Sequence, residues 1–453
     1  MSEITVNGGR KLFGGVKIKG AKNAILPILA ASVLIRGEVK LKNCPRISDI
    51  KNMLGVLRDL GAKASFRGNT IKINASKISK YEIKGENAKK IRGSIFLLGA
   101  LLGRFGKATT FASGGCAIGA RPIDLHLRGL EALGFKSEDI NGATYIYRDE
   151  AIAQNSLEPA TGFDPKNTRN AATAQKKALN AMREIKTREV FLDFASVGAT
   201  ENLILASVLG EETTRIVGAA REPEIVCLSG FLNAAGAKIA GAGTDEIIID
   251  GVRELSPVVF EPIPDRIVCA TYLLAVCATG GSITIKNTLY EHNENLIAKL
   301  RSVGAKIQTR GNSIKINVAE LKKTPLSVHT APWVGFPTDI QSQLGAMCAV
   351  RGIPLTITEN LFENRFSYAS ELKKLGFNIE INGKTAKFEP TPRENLTNTQ
   401  LALTAEDLRG GAALIIAALA LPQKTTVKNY ELVARGYEDI VADLKKLGAD
   451  IYL

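Results

Sequence analysis

The stretch Gly114–Leu127, GGCAIGARPIDLHL, sets the thiol of Cys116 in a glycine-rich loop with Arg121 five residues on. A free thiol titrates near about 8.5 and a neighbouring guanidinium lowers that value, so the pairing can make an acid or a nucleophile. A glycine-rich loop can also move, and a mobile loop over a cleft acts as a lid. The plainer reading is a small apolar filler in a turn, and spacing alone leaves both open. His126 lies in the helical pattern that follows and reads as structural. A second candidate, GFPTDIQSQ over 335–343, puts Asp339 just inside a helix start. There it is either a carboxylate capping free N–H groups or a general base facing a cleft. Arg409 in DLRGG and Arg435 in ARGYED adjoin glycines, where backbone approaches a ligand closely and a guanidinium fork takes phosphate or carboxylate. Solvated surface charge is the alternative. No Walker A, no GxGxxG between strand and helix and no HExxH occurs, so triphosphate hydrolysis and zinc proteolysis lose support.

The elements that must position these residues recur along the chain. Helical runs end at Gly61, Gly134, Gly236, Gly304, Gly376 and Gly448, each followed by an alternating strand pair. Glycine is the residue a left-handed helix C-cap favours, and the links RGN, AGT and NGK are hairpin chemistry. The intervals between these glycines are 73, 102, 68, 72 and 72. The long interval holds an insertion at about 150–187 with an expected basic helix at Ala171–Ile185; Thr161–Val190 has seven Lys/Arg against three Asp/Glu. Upstream of each glycine runs an apolar helix, six in all, starting near Gly20, Lys90, Ser196, Pro264, Pro337 and Asp407. Helices apolar nearly all round are buried. If each set of three is parallel, the N-termini near Lys22, Arg92, Ser196, Asp339 and Arg409 converge on anion-binding faces.

Length and charge bound the rest. The chain has 453 residues, 45% hydrophobic and 23% charged, with a net charge of +14. That composition is globular, and single cores stop growing near about 250–300 residues, so two domains are expected. Three prolines in SPVVFEPIPDR, Pro257, Pro262 and Pro264, mark the hinge. The charge points to an anionic partner: nucleic acid, membrane surface or a phosphorylated small molecule. Six scattered cysteines with no CxxC pair give neither a zinc ribbon nor a disulfide framework, and Cys269 and Cys277, eight apart in an apolar run, read as core packing. The run Ala24–Ile35 after several lysines imitates a signal peptide but is the first of the six internal helices.

GAKNA at Gly20, GGCAIGARPIDLHL at Gly114, SVGATEN at Ser196, AAREPEIV at Ala219, FPTDIQSQ at Phe336, FENRF at Phe362, DLRGGAA at Asp407 and RGYEDI at Arg435 together carry a resemblance. The chain resembles the UDP-N-acetylglucosamine 1-carboxyvinyltransferases of the enolpyruvyl transferase family, over essentially its whole length apart from the insertion. The resemblance implies an α/β fold: a two-domain inside-out α/β barrel of six βαβαββ-like repeats, three per domain. One domain would comprise 1–20 and 261–453, the other 21–260. The implied reaction moves the enolpyruvyl group of phosphoenolpyruvate to the 3′-hydroxyl of UDP-N-acetylglucosamine and releases phosphate, the first committed step of peptidoglycan synthesis. Cys116 would be the proton donor, Asp339 the base, and Lys22, Arg121, Arg409 and Arg435 the cations around phosphoenolpyruvate. Asn23 lies beside Lys22, and Arg92 lines the nucleotide-sugar site. Arg121, Pro122, Ile123, Asp124 and Leu125 form the uracil-binding stretch, Ser196, Val197 and Gly198 the diphosphate turn, and Leu361 a further sugar-nucleotide contact. No cofactor, metal, nucleic acid or membrane is implied; a cytoplasmic monomer or weak homo-oligomer is expected. Val268, Cys269, Gly93 and Gly410 depart from the family's usual residues, and none removes a catalytic group.

Two other readings compete. A shikimate-3-phosphate transferase on the same fold would need groups for a second phosphate near the SVGAT turn. A nucleic-acid-binding protein would use the net charge, but aromatics are only 6%, without the basic–aromatic interleaving that stacks bases.

Overall fold

The computed structural model describes residues 2–111, 123–148, 187–397 and 399–453. Cys116, Arg121, Pro122 and the expected helix of the insertion lie outside the described residues.

Six four-stranded sheets account for the described strands, all open and all paired alike. In each, a parallel pair is extended by two antiparallel strands, which form a hairpin in five of the six and join Glu3–Asn7 to Asp450–Tyr452 in the other. Val258–Phe260 runs parallel to Glu38–Leu41, which is antiparallel to Thr70–Asn74, itself paired with Lys63–Arg67. The hairpins turn at glycines such as Gly68 and Gly383. All six glycines that end helical runs have positive φ, from 84° at Gly134 to 111° at Gly61, the conformation that costs a side chain most. The apolar alternation of IKIN-type strands then buries every second residue, as in Ile71 and Ile73 or Ile314 and Ile316.

The six apolar helices are α1 (Lys22–Ala31), α2 (Leu97–Phe105), α3 (Val197–Ser207), α4 (Arg266–Thr279), α5 (Thr338–Arg351) and α6 (Leu408–Ala420). Most residues of each are buried. They pack in two groups, α4–α6 together and α1–α3 together. The first group belongs to a hydrophobic core running from Ile4 to Ile18 and from Ile267 to Ile451; the second to a core running from Ala21 to Val258. Cys269 and Cys277 lie in α4 without solvent exposure, their thiols pushed up to about 12 by burial. No helix among the described residues is long and apolar enough to cross a membrane.

Sheet pairing explains how the N-terminal strands join a core built mostly from the second half. Glu3–Asn7 pairs with Lys424–Lys428 and Asp450–Tyr452, and Leu12–Lys17 pairs with Gly281–Lys286. The chain passes between cores at residues 18–21 and 262–265. The two passages lie side by side, with Ala21 N–H donating to Ile263 O at 2.8 Å and Asp265 N–H to Lys19 O at 2.9 Å. Gly20 sits in this crossing, where a Cβ would meet Asn43 O at 3.0 Å.

Candidate functional site

The starts of the buried helices carry the charged residues. Asp265 caps α4 through Ile267 and Val268 N–H, and its other oxygen accepts Lys22 N–H at 3.1 Å, tying the start of α1 to the start of α4. Asp407 caps α6 in the same way through Arg409 and Gly410 N–H. Asp339, in the first turn of α5, makes no capping bond; its N-cap is Pro337. The capping reading of Asp339 therefore falls, because two arginines claim its oxygens. Arg365 donates to Oδ1 at 2.7 Å, and Arg409 lies 3.4 Å from both oxygens.

Between the two cores stand three linked charge clusters. In the first, Asp49 Oδ2 is 2.7 Å from Lys22 Nζ and Oδ1 accepts from Arg435 Nε at 2.9 Å, so one buried carboxylate joins cations from both cores. The second is Arg365–Asp339–Arg409, with Arg365 also 3.7 Å from Asp407. The third is Arg266, which forks onto both oxygens of Glu224 at 2.9 and 3.3 Å. Its guanidinium lies 5.2 Å from the ring centroid of Trp333, the only tryptophan. Trp333 N–H donates to Glu222 at 3.2 Å.

Electrostatics connect the clusters. Burial lowers the pKa of Lys22; Asp49 opposes this, while Arg409 and Arg435 add to it. Burial would raise the Asp339 carboxyl, but Arg409 and then Arg365, helped by Arg266, hold it well below the usual carboxylate range. Asp339 nevertheless keeps 29% of its side-chain surface open, so an ionised carboxylate flanked by cations is accessible to a ligand. Cations on both walls of a cleft suit a multiply charged anion, and a carboxylate at hydrogen-bond reach can take a proton from a hydroxyl.

The structure thus brings Lys22, Asp339, Arg409 and Arg435 together. Asn23 is half-buried beside Lys22. A second group forms where α3 starts. Ser196 caps α3 by accepting Ala199 N–H at 3.3 Å. A Cβ on Gly198 would meet His126 Cε1 at 3.1 Å, so this turn packs against the helix Asp124–Ala132. His126 is buried, with Nδ1 2.9 Å from Asn202 Nδ2. Val197 and Leu125 pack on the α1–α3 core, Ile123 precedes the helix, and Asp124 is exposed and paired with Arg128. Arg92 opens a 3-10 turn, Arg92–Phe96, ahead of α2. Leu361 N–H donates to Glu359 at 2.9 Å; this buried carboxylate also accepts the hydroxyls of Thr330 and Thr338, fixing the turn before Arg365 to the start of α5.

Sequence reasoning missed Asp49, Arg365, Arg266, Glu224 and Glu359. Arg365 stands in FENRF, Arg266 in PDRI and Glu224 in AAREPEIV, so the motif strings held a signal. The pairings did not: Arg266 and Glu224 are 42 residues apart and Arg435 and Asp49 are 386 apart.

A family model described as EPSP synthase (3-phosphoshikimate 1-carboxyvinyltransferase) matches residues 6–149 and 166–444. The chain belongs to the enolpyruvyl transferase family. Among its relatives, UDP-N-acetylglucosamine 1-carboxyvinyltransferase 2 of Caldanaerobacter subterraneus is 40% identical over 451 residues, spanning 100% of this chain and 99% of that protein. UDP-N-acetylglucosamine 1-carboxyvinyltransferase 1 of Staphylococcus aureus is 39% identical over 454 residues, with the same shares covered. In three dimensions this enolpyruvyl transferase is similar to the enolpyruvyl transferase NikO from Streptomyces tendae, with a TM-score of 0.79, 25% identity and 99% and 98% of the two chains covered. The fold is also that of an EPSP synthase from Acinetobacter baumannii, TM-score 0.69 at 15% identity, with 100% and 99% covered.

Proposed function

We propose that this enolpyruvyl transferase moves the enolpyruvyl group of phosphoenolpyruvate to the 3′-hydroxyl of UDP-N-acetylglucosamine, releasing phosphate, in peptidoglycan synthesis. The observation that carries the reading is the pair of neighbouring clusters Lys22–Asp49–Arg435 and Arg365–Asp339–Arg409, the latter around an ionised Asp339, in a chain about 40% identical over its full length to proteins named for that activity. Support for the two-domain inside-out barrel of six repeats comes from the common pairing pattern of the six sheets. The two cores support its division into 1–20 with 261–453 and 21–260.

Phosphoenolpyruvate carries a phosphate and a carboxylate. Lys22, Arg409, Arg435 and Arg121 hold these groups and draw electron density from C2. Asp339 takes the proton of the acceptor hydroxyl, whose oxygen bonds to C2 as Cys116 delivers a proton to C3. Loss of a proton from C3 and of phosphate from C2 then restores the double bond. Phosphate bound at Arg409 competes for the guanidinium that depresses Asp339, and so raises the carboxylate's basicity when a proton must be taken. Arg92, Asn23, Ile123–Leu125, Ser196–Gly198 and Leu361 seat the nucleotide sugar. A cleft that excludes water leaves the sugar as the sole acceptor.

Replacing Cys116 by alanine separates the roles. The variant should still bind UDP-N-acetylglucosamine but lose phosphate release; full-rate release by Cys116→Ala sinks the proton-donor assignment.

A further inference from the structure

The inner helices of the α1–α3 core have two ends, and the cleft uses one. At the other end, where α1, α2 and α3 finish, a pocket of about 410 Å³ is lined by Arg36, Arg104, Arg148, Arg253 and Glu254 over a floor of leucines and glycines. With α1 and α3 only 10 and 11 residues long, it lies about 15 Å from the cleft face at 1.5 Å per residue. Helix C-termini carry partial negative charge, so some cation is expected there. Arg104 meets that need: its guanidinium donates to the carbonyls of Val33 at 2.6 Å, Ala75 at 2.8 Å and Ser76 at 3.2 Å.

The other arginines exceed it. Neither Arg36 nor Arg148 makes a side-chain hydrogen bond or ion pair with the described residues. Arg148 is held by stacking, 5.1 Å from the Phe135 ring centroid. Arg253 shares one contact, with exposed Glu211 at 3.2 Å. Like charges crowd: burial and then Arg36 lower the pKa of Arg104, and burial and then Arg188 lower that of Arg148. Counted with the adjoining Arg188–Glu212 pair, five arginines face three glutamates, Glu254, Glu211 and Glu212, and the exposed Arg36, Arg148 and Arg253 leave most of their guanidinium donors without a partner among the described residues. The adjoining pocket of about 210 Å³, which shares Arg148, Leu209 and Gly210, also includes buried Ser207, whose hydroxyl has no partner among the described residues. In the α4–α6 core the end of α6 is instead covered by chain, with Gly9 N–H donating to Leu419 O at 2.9 Å.

We propose that this pocket is a second anion site, separate from the cleft, for a compact small molecule bearing a diphosphate. Its volume falls within the about 300–1,000 Å³ of small-molecule sites. Forked guanidiniums match phosphate oxygens bidentately, and the excess of two positive charges calls for a ligand of at least two negative ones.

Inorganic pyrophosphate is the probe, titrated calorimetrically into the whole protein, with orthophosphate in parallel. The wild type should bind pyrophosphate more tightly than orthophosphate. The double variant Arg36→Gln/Arg148→Gln should weaken pyrophosphate at least about tenfold, since two charge-assisted contacts are lost. Arg435→Gln, which alters only the cleft, should leave this binding in place. An unchanged affinity in the double variant overturns the proposal, as does binding lost in Arg435→Gln instead. So does a double variant whose only change is a lower melting temperature, because the arginines would then serve the helix ends alone. Binding is read without turnover, so its failure is distinct from a failure of the enolpyruvyl reading.

Discussion

Asp339 is the residue on which charge and chemistry meet. Replacing it by asparagine removes the proton acceptor and leaves Arg365 and Arg409 facing each other without a shared anion. Turnover should fall by about 10²- to 10⁴-fold, measured as phosphate release under saturating substrates, while nucleotide-sugar binding persists. The same carboxylate contributes to acid sensitivity. Its folded-state pKa is depressed, so its stabilisation is whole above about pH 3.9, the unfolded value. It is lost as pH falls from there toward the folded value. Glu201 behaves oppositely. It is buried in α3 with neither oxygen hydrogen-bonded among the described residues, and burial, then Glu224 and Glu222, push its pKa well above normal. The folded state then holds a proton that the unfolded state releases, so Glu201 costs stability increasingly as pH rises above about 4.3. Glu201→Gln should raise the melting temperature at pH 8 and leave it nearly unchanged at pH 4; equal shifts at both would contradict this.

At the scale of elements, close helix approach reverses an ordinary propensity rule. Alanine in a helix is favoured over glycine by about 1 kcal/mol. A Cβ on Gly99 of α2, however, would lie 2.2 Å from Asn202 O of α3. Gly99→Ala should therefore destabilise, by about 1–3 kcal/mol as in overpacked cores, seen as a lower urea midpoint. Much at this scale was legible from the sequence. The six glycines that end helical runs required positive φ because a left-handed cap follows, and the six apolar helices declared their burial by lacking a polar face. Asp339 was placed correctly at a helix start, yet its capping alternative fell because Arg409 and, from the FENRF segment, Arg365 claim its oxygens. Such a contact depends on tertiary placement that no local pattern encodes. The joining of the two cores through Asp49 and Arg435, and through Glu224 and Arg266, was invisible for the same reason.

Across the whole molecule, those bridges make the cleft sensitive to the relation between cores. Removing Asp49's carboxylate leaves Lys22 and Arg435 unpaired. Because Arg435 is one-third exposed, the cost should be about 2–4 kcal/mol, below that of a fully buried pair. Asp49→Asn should lower the melting temperature and weaken phosphoenolpyruvate saturation together. Trp333 offers a direct optical view, since it contacts Arg266 and Glu222 from opposite cores. Its emission should change on adding UDP-N-acetylglucosamine, and should not change on adding shikimate-3-phosphate. The net charge of +14 is thereby divided. Part lines the cleft and part the arginine pocket at the far end of α1–α3. The central claim is the identity of the acceptor, and one assay addresses it: phosphate release from phosphoenolpyruvate with UDP-N-acetylglucosamine or shikimate-3-phosphate as sole acceptor. Release with the nucleotide sugar alone is the predicted result; release with shikimate-3-phosphate and none with the nucleotide sugar would contradict the account.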